Sequence, residues 1–343
     1  MVDGRTYDYV IEQGGDFEHN AGVYTASGST ITRGGTAIAS KISGTAGTAL
    51  INMNGTAIVY FPFFNRLFTT LVPACGKLTY SSTTLLKFLP FDGDLIRING
   101  VVYSIPVAGI AGLANTSVFV NGTGGSNLAA NTTYYVYAFS NSGVVTADFR
   151  TDGNGHIMSD AAGNSGTEVR CSTGTTRDNT RTLIGLIRTV GSALFSDTAA
   201  ARLVRSWLND NGKLTSNKYT VDQTGSNAAA PPTEELDTEI RNQIVLWAGE
   251  SWFLNWTGTI ACSTFDDQHT GISVDGAATL ISVANNVDPA ASLRSTGSAS
   301  CVATPAEGFH YATIKGSVDT GVGTWYGGGG YRENILNGVS YRN

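Results

Sequence analysis

Turn-forming residue pairs interrupt this sequence at short intervals, and they limit the chain to short extended segments joined by tight connections. The clearest pair is Asn99-Gly100, which separates Leu95–Ile98 from Val101–Ile105, two runs rich in aliphatic residues. A type I′ turn requires a positive φ at both central residues, and Asn-Gly meets that requirement well. The sequence therefore predicts a two-residue hairpin here and, from the repeated pattern, a chain of short antiparallel strands.

The polar part of the sequence relies on small uncharged residues. Charged residues make up 14% of the 343 positions, against about 25% in an ordinary globular chain. Glycine alone occurs 42 times, and Gly, Ser, Thr and Asn suit turns and strand faces better than helices. We expect an all-β protein with two or three β-sandwich or jelly-roll-like modules, short turns and little helix.

Three modules are predicted along the chain: an N-terminal β module (1–75), a central β module (76–225) and a C-terminal β-sandwich module (226–343). The second boundary depends on a linker-like stretch, Ser226–Ala230, which is followed by two prolines. Near the end of the central module, Ser196 and the alanines after it predict a short helical turn that leads into a strand.

The charge balance and the length of the apolar runs argue against nucleic-acid binding and membrane insertion, respectively. The net charge is −6, the pI is about 5.2, and the sequence contains no basic run, so the positive patch that nucleic-acid binding requires is not indicated. The longest apolar stretch, Ala57–Phe64, has eight residues, far fewer than the roughly 20 of a membrane-spanning helix. We therefore expect neither nucleic-acid binding nor membrane insertion.

The motifs of common active sites are incomplete in this sequence. Gly76-Lys77 and Gly212-Lys213 lack the first glycine of a phosphate-binding loop. The four histidines are dozens of residues apart and show no metal-ligand spacing. Asp152–His156 places oxygen ligands at alternate positions, as a calcium loop does, but a histidine stands at the third position. We expect no catalytic residue, no metal and no cofactor, and hence no enzyme.

Three aromatic side chains are candidates for a contact surface. Trp252 and Trp256 fall on the same face of a period-two strand together with Leu254. This face either packs in a core or, as a hypothesis, contacts a glycan, because exposed tryptophans stack on sugar rings. His269 follows Asp266-Asp267 in a predicted loop and is the histidine predicted to lie at the surface.

The four cysteines are widely separated and form no C-x-x-C pair, so zinc-finger and redox spacings are absent. Two interpretations remain for the last two, Cys262 and Cys301. They are either buried thiols or a disulfide formed in an oxidising environment.

Two segments near the start of the chain resemble a module found near the beginning of many phage and prophage structural proteins. They are Gly22–Arg33 (GVYTASGSTITR) and Leu50–Tyr60 (LINMNGTAIVY). In that family, a strand pair with the pattern Y-T-x-S-G-x-T-hydrophobic-x-R leads into an N-x-x-G-T-x-x-V strand.

Later segments resemble tail and fibre proteins of tailed bacteriophages, a family common in phages of alphaproteobacteria. Asn131–Tyr137 (NTTYYVY), Arg181–Thr189 (RTLIGLIRT) and Arg202–Asn209 (RLVRSWLN) are similar to the middle of such proteins. Glu307–Gly316 (EGFHYATIKG) is similar to their closing strands. Together with the first two segments, the resemblance extends over well over half of the chain.

The resemblance implies a virion structural protein, assembled in the host cytoplasm, whose first module attaches it to the particle. It also implies a homo-oligomer, with a trimer as the predicted state, because sister copies would cover exposed strand edges. The expected partners are other virion proteins and a host cell-surface glycan or protein. A tail-fibre or appendage role in host attachment is the leading interpretation. A purely architectural head-decoration, neck or collar protein is the alternative, and a polysaccharide depolymerase is a further one.

Overall fold

The computed structural model confirms an all-β protein. It describes residues 4, 6–13, 16–28, 30–33, 39–42, 45–50, 52, 58–60, 75–151, 155–225, 234–264, 267–277, 280–287, 293–328 and 333–342. Within these residues the chain forms thirty β-strands and three short 3-10 helices, Ala26–Gly28, Gly191–Ala193 and Thr238–Ile240. The backbone divides into two compact units, Met1–Val72 and Pro73–Asn343.

The first unit is built on one six-stranded sheet with the order β5-β4-β2-β1-β6, and β3 pairs with β2. Its strands are β1 Thr6–Gln13, β2 Asp16–Thr25, β3 Thr30–Ile31, β4 Ala39–Ile42, β5 Thr45–Gly47 and β6 Ile58–Tyr60. On one face, Tyr9 and Ile11 are buried. The same face holds the fully buried carboxylate of Glu18, which accepts two hydrogen bonds from the guanidinium of Arg33. This pairing offsets the cost of burying the charge.

The second unit contains two β bodies. The first β body is an eight-stranded sheet with the order β12-β11-β14-β13-β17-β16-β15, to which β19 adds beside β17 and on which two hairpins pack. The hairpins are β7 Lys77–Ser82 with β8 Leu85–Leu89, and β9 Leu95–Ile98 with β10 Val101–Ser104. The sheet strands are β11 Val118–Val120, β12 Thr123–Ser126, β13 Thr133–Asn141, β14 Val144–Arg150, β15 His156–Met158, β16 Glu168–Thr173, β17 Thr176–Arg188 and β19 Val204–Ser206.

The predicted Asn99-Gly100 hairpin is confirmed. Asn99 and Gly100 have φ values of 50° and 79°, which are the positive angles that a type I′ turn requires. The turn pairs Ile98 with Val101 and places Ile96 and Ile98 in the core beneath the sheet. A local turn signal thus fixes which residues of the hairpin are buried.

The second β body is a sandwich of two six-stranded sheets. One has the order β18-β23-β28-β25-β26, with β22 beside β28, and the other has the order β20-β30-β24-β29-β21, with β27 beside β24. The strands are β18 Ala201–Arg202, β20 Leu214–Lys218, β21 Gln223–Gly225, β22 Glu234–Glu235, β23 Asn242–Leu246, β24 Ser251–Cys262, β25 Asp267–Val274, β26 Ser282–Val287, β27 Arg294–Ala303, β28 Gly308–Val318, β29 Gly323–Trp325 and β30 Ile335–Tyr341.

The sandwich core is rich in tryptophan. Trp252, Trp256 and Trp325 from one sheet pack with Ile244 and Ile314 from the other. Large aromatic side chains bury the most apolar surface per residue, which suits a core between two sheets about 10 Å apart.

The predicted helical turn at Ser196 is wrong. Residues 196–200 form no helix, and Asp197 instead bridges to Arg202 in an antiparallel arrangement. Main-chain pairing with the second β body explains the difference, because Ala200 and Ala199 accept hydrogen bonds from Gln243 and Ser216, both at 2.8 Å. Tertiary pairing thus outweighs the helix propensity of the alanines.

The three-module division at residues 75 and 226 stays a prediction. The linker at 226–230 and the following prolines lie outside the described residues. The strands just before it, β20 and β21, pair with β30 and β29 of the second β body. This pairing places residues on both sides of position 226 in one sheet.

Candidate functional site

Trp252 and Trp256 do not form a contact surface. Both side chains are 0% exposed in the sandwich core, and the indole N–H of Trp256 donates to Oδ1 of Asn334 at 3.0 Å. The period-two pattern correctly puts them on one face of β24, but that face points to the opposite sheet. The glycan-contact hypothesis for these residues is therefore wrong, and the core interpretation is right.

His269 is also buried rather than exposed in a loop. It lies within β25, is 9% exposed, and its two ring nitrogens contact Oδ1 of Asn285 at 2.8 Å and Oδ1 of Asp319 at 3.0 Å. Burial lowers the pKa of His269, but the two hydrogen bonds outweigh burial and raise it. The prediction of a surface histidine in a loop fails because β25 begins at Asp267, so that His269 stands within the strand. Asp266 lies outside the described residues.

The Cys262–Cys301 disulfide is excluded by strand register. Cys301 on β27 lies directly opposite Leu254 on β24, and Cys262 lies eight residues further along β24. Eight residues of extended strand span about 26 Å, whereas a disulfide requires Cα atoms within about 7 Å. The thiol interpretation is therefore retained, and burial raises the pKa of the Cys301 thiol to about 11.

A different set of side chains joins the two β bodies of the second unit. We call it the junction: Tyr135, His156, Glu168, Arg205, Trp207, Asp210, Trp247, Glu250, Glu307 and Arg342. Strands β13, β15, β16 and β19 of the first β body supply its first four residues, while Trp247, Glu250 and Glu307 come from loops of the second β body. Apolar residues surround it, with Tyr137, Leu183, Leu186 and Val245 fully or nearly fully buried.

His156 lies between two carboxylates. Its Nδ1 contacts Oε1 of Glu168, and its Nε2 contacts Oε2 of Glu307 at 3.1 Å. Burial by itself lowers the pKa of His156, but the hydrogen bonds to Glu168 and Glu307 outweigh it and raise the pKa to about 9. The imidazole is consequently a cation at neutral pH and bridges the two β bodies as part of an ion pair.

Glu307 accepts two further hydrogen bonds, one from each side of the junction. Tyr135 donates its hydroxyl proton to Oε1 at 2.5 Å, and the backbone N–H of Ala248 donates to Oε2 at 3.0 Å. Burial raises the pKa of Glu307, but the hydrogen bonds of His156 and Tyr135 outweigh burial and lower it. Glu307 therefore stays ionised and anchors the loop before β28 to the first β body.

A second ion cluster lies deeper in the junction, around Arg205. Its guanidinium donates to Asp210 at 2.6 Å, to Glu250 at 2.7 Å and to the carbonyl of Val245 at 2.8 Å. The side chains of Arg205 and Glu250 are 1% and 0% exposed. Glu250 also accepts the backbone N–H of Trp247 at 3.0 Å. The buried charges are thus paired and hydrogen-bonded, as burial requires.

Aromatic rings fill the space between the two ion clusters. The rings of Trp207 and Trp247 meet edge to face with centroids 4.9 Å apart, and the ring of His156 meets Trp207 at the same distance. The guanidinium of Arg342 lies 4.0 Å from the ring centroid of Trp207. Edge-to-face and cation–π contacts add to the attraction from apolar burial.

This arrangement connects the two β bodies through polar groups that are already paired with one another. Both ring nitrogens of His156 already contact carboxylates, so neither is available to take a proton from a substrate. Within the described residues, no group of three His, Cys, Asp or Glu side chains could hold a metal ion. The chemistry of the junction is therefore that of a charged and aromatic clamp.

The junction should make the stability of the second unit dependent on pH. Because the pKa of His156 is raised to about 9 from 6.5, its contribution is complete below about pH 6.5 and is lost as the pH rises through 9. The contribution is on the order of 3 kcal/mol. Because the pKa of Glu307 is lowered, its contribution to stability is present at pH values above the ordinary pKa of a glutamate. That contribution is lost as the pH falls through the lowered pKa.

The measurement is the melting temperature of the full chain between pH 6 and 10, compared with that of His156→Gln. We expect the difference between the two proteins to shrink by several degrees across this range. His269→Gln is the comparison outside the junction: because the pKa of His269 is also raised, its own pH dependence shows how much of the total arises away from the junction. A constant difference across the range would contradict the assignment.

Sequence reasoning did not find the junction. In sequence, Asp152–His156 resembles only an incomplete calcium loop, and residues 152–154 lie outside the described residues. His156 and Glu307 are 151 positions apart, so no local spacing brings them together. The one local signal of the junction was a charged residue, Glu307, directly before the strand β28.

Comparisons with known proteins identify no family for this chain. No protein-family model matches it, and no curated protein matches it significantly. Among solved structures, a chain from the T13 particle of IBDV has a TM-score of 0.21 and 11% identity, with 77% of this chain and 71% of that chain covered. A chain from the infectious bursal disease virus Gx strain has a TM-score of 0.23 and 12% identity, with 80% and 74% covered. Both TM-scores are below 0.5, so neither match establishes a fold or a function here.

Among the described residues, no helix has the length and the apolar character needed to cross a bilayer.

Proposed function

We propose that the chain is a non-enzymatic structural protein of a tailed-bacteriophage virion, acting as a tail-fibre or appendage component in assembly and host attachment. The observation that carries the proposal is the junction, which fixes two β bodies to each other through buried ion pairs and aromatic rings that meet edge to face. A component that projects from a particle must keep its shape outside the cell. A rigid connection between its β bodies serves that requirement.

Three of the six phage-like sequence segments contain residues of the junction. Asn131–Tyr137 contains Tyr135, Arg202–Asn209 contains Arg205 and Trp207, and Glu307–Gly316 begins with Glu307. The fourth segment, Arg181–Thr189, pairs with the first in the β13–β17 ladder. Four of the ten junction residues thus lie in segments that carry the resemblance, which supports a common structural role.

The proposed partners are further copies of the chain, other virion proteins, and a host-surface glycan or protein. A trimer remains the predicted oligomeric state for a projecting fibre. The buried tryptophans of β24 are unsuited to glycan contact, so a receptor-binding surface would have to use other residues.

Immunogold electron microscopy of purified particles tests the proposed role. Antibodies raised against the full chain are applied to particles of the phage that encodes it. We expect gold particles on tails or appendages. Label over the head would favour the decoration alternative, and label at the head–tail connection would favour a neck or collar protein. Particles without label that lack the chain by mass spectrometry would overturn the virion assignment.

A further inference from the structure

One outward face of the second β body carries a row of exposed apolar side chains. We define the apolar row as Val302, Phe253, Val339 and Leu214, which are 52%, 39%, 38% and 66% exposed. They lie directly opposite one another on β27, β24, β30 and β20, so that the row crosses four adjacent strands. Their neighbours along β24, Trp252 and Leu254, point inward to the core.

The next row on the same face is polar but uncharged. Ser300, Asn255, Asn337 and Ser216 are opposite one another on the same four strands. Hydroxyl and amide groups each supply both donors and acceptors. An identical row can therefore satisfy them, whereas a partner that recognises charge finds no counterpart in either row.

We propose that this face binds the same face of a second copy of the chain, apolar row against apolar row, about a two-fold axis. The chain as a whole carries a net charge of −6, so two copies repel each other over most orientations. The two uncharged rows form a region where close approach requires no desolvation of a charge. An isologous contact places each row on its equivalent, which matches apolar and polar surface in register.

The size of the face suits such a contact. The four strands are about 4.8 Å apart and carry three to five outward positions each that are not buried, sixteen in all, about 6.7 Å apart along the strand; together they cover roughly 500 Å². Two copies then bury about 1,000 Å² in total, which is the lower limit for a specific interface and fits a weak contact. The inference goes beyond the proposed virion role, because self-association of this kind is a property of the purified chain.

The test is the oligomeric state of the full chain by light scattering and native mass spectrometry at concentrations up to about 100 μM, well above a micromolar Kd. We expect the purified wild type to form dimers through this face, and any trimer held by other contacts to associate further into hexamers. Phe253→Asp puts a charge in the centre of the contact and should weaken the dimer at least about 30-fold. Val107→Asp, at a position that is 90% exposed in a loop elsewhere, is the matched control and should leave the dimer unchanged.

A crosslinking variant separates loss of contact from loss of folding. Val339→Cys lies in the apolar row and should be joined to the second copy by a bismaleimide that spans the roughly 10 Å between facing sheets, whereas Val107→Cys should not. Near-ultraviolet circular dichroism checks that the buried tryptophans keep their environment in every variant. A wild type that stays monomeric, a dimer or trimer unaffected by Phe253→Asp, or equal crosslinking of the two cysteine variants would overturn the proposal.

Discussion

Replacing Arg205 by methionine is expected to lower the free energy of unfolding of the second unit by about 3–5 kcal/mol, the range found when one member of a buried ion pair is removed. The guanidinium is 1% exposed and is the hydrogen-bond donor to Asp210 and Glu250. Methionine fills a similar volume but leaves two buried carboxylates without their cation. The loss therefore comes mainly from uncompensated charge and little from packing.

Equilibrium unfolding in urea, followed by tryptophan fluorescence, measures this effect. Arg177→Met is the matched control, because Arg177 pairs with the exposed carboxylate of Asp160 at 3.5 Å, and exposed pairs contribute about 0–1 kcal/mol. Adding Glu250→Gln to Arg205→Met removes one of the orphaned charges and should recover part of the loss. Equal losses for Arg205→Met and Arg177→Met would show that the cluster is not a stabilising element.

Local patterns predicted the fold class and several strands correctly. Asn99-Gly100 specified its own hairpin, because the turn type depends on two adjacent residues and needs no distant partner. Low charge with abundant small polar residues indicated strands and turns over the whole chain.

The same patterns could not say which face of a strand is buried or against what. Period-two alternation separates the two faces of β24 but assigns neither to the core, so Trp252 and Trp256 fitted a surface as well as a core. The location of His269 depended on the pairing of β25 with β26 and β28, which brings Asn285 and Asp319 to its ring. Those contacts join positions 16 and 50 residues away.

The junction shows the same limit for a functional site. Its ion pairs join β19 to Glu250 and β15 to Glu307, and each pair depends on two β bodies meeting after they fold. The sequence contains these charged residues but does not indicate which of them pair. Only the three-dimensional arrangement shows which of them pair where the two β bodies meet.

A fragment that begins at residue 226 is expected not to fold, because it lacks β18, β20 and β21. Five residues of β20 pair with β30, and three of β21 pair with β29. Tyr219, between these two strands, is 0% exposed in the sandwich core. Losing one such aromatic side chain costs about 3–5 kcal/mol, and losing the strands around it adds to that. A total stability of about 5–15 kcal/mol does not survive such a deletion.

Fragments 226–343 and 199–343 provide a matched pair for this prediction, because they differ in the strands that precede the linker. We expect 199–343 to show the near-ultraviolet circular dichroism of packed tryptophans and a cooperative thermal transition, and 226–343 to show neither. The physical reason is that the sheet containing β24 and β30 is complete only when β20 pairs with β30 and β21 pairs with β29. A cooperative transition in 226–343 would instead establish residue 226 as a true module boundary and would make the strands before it dispensable for the tryptophan core.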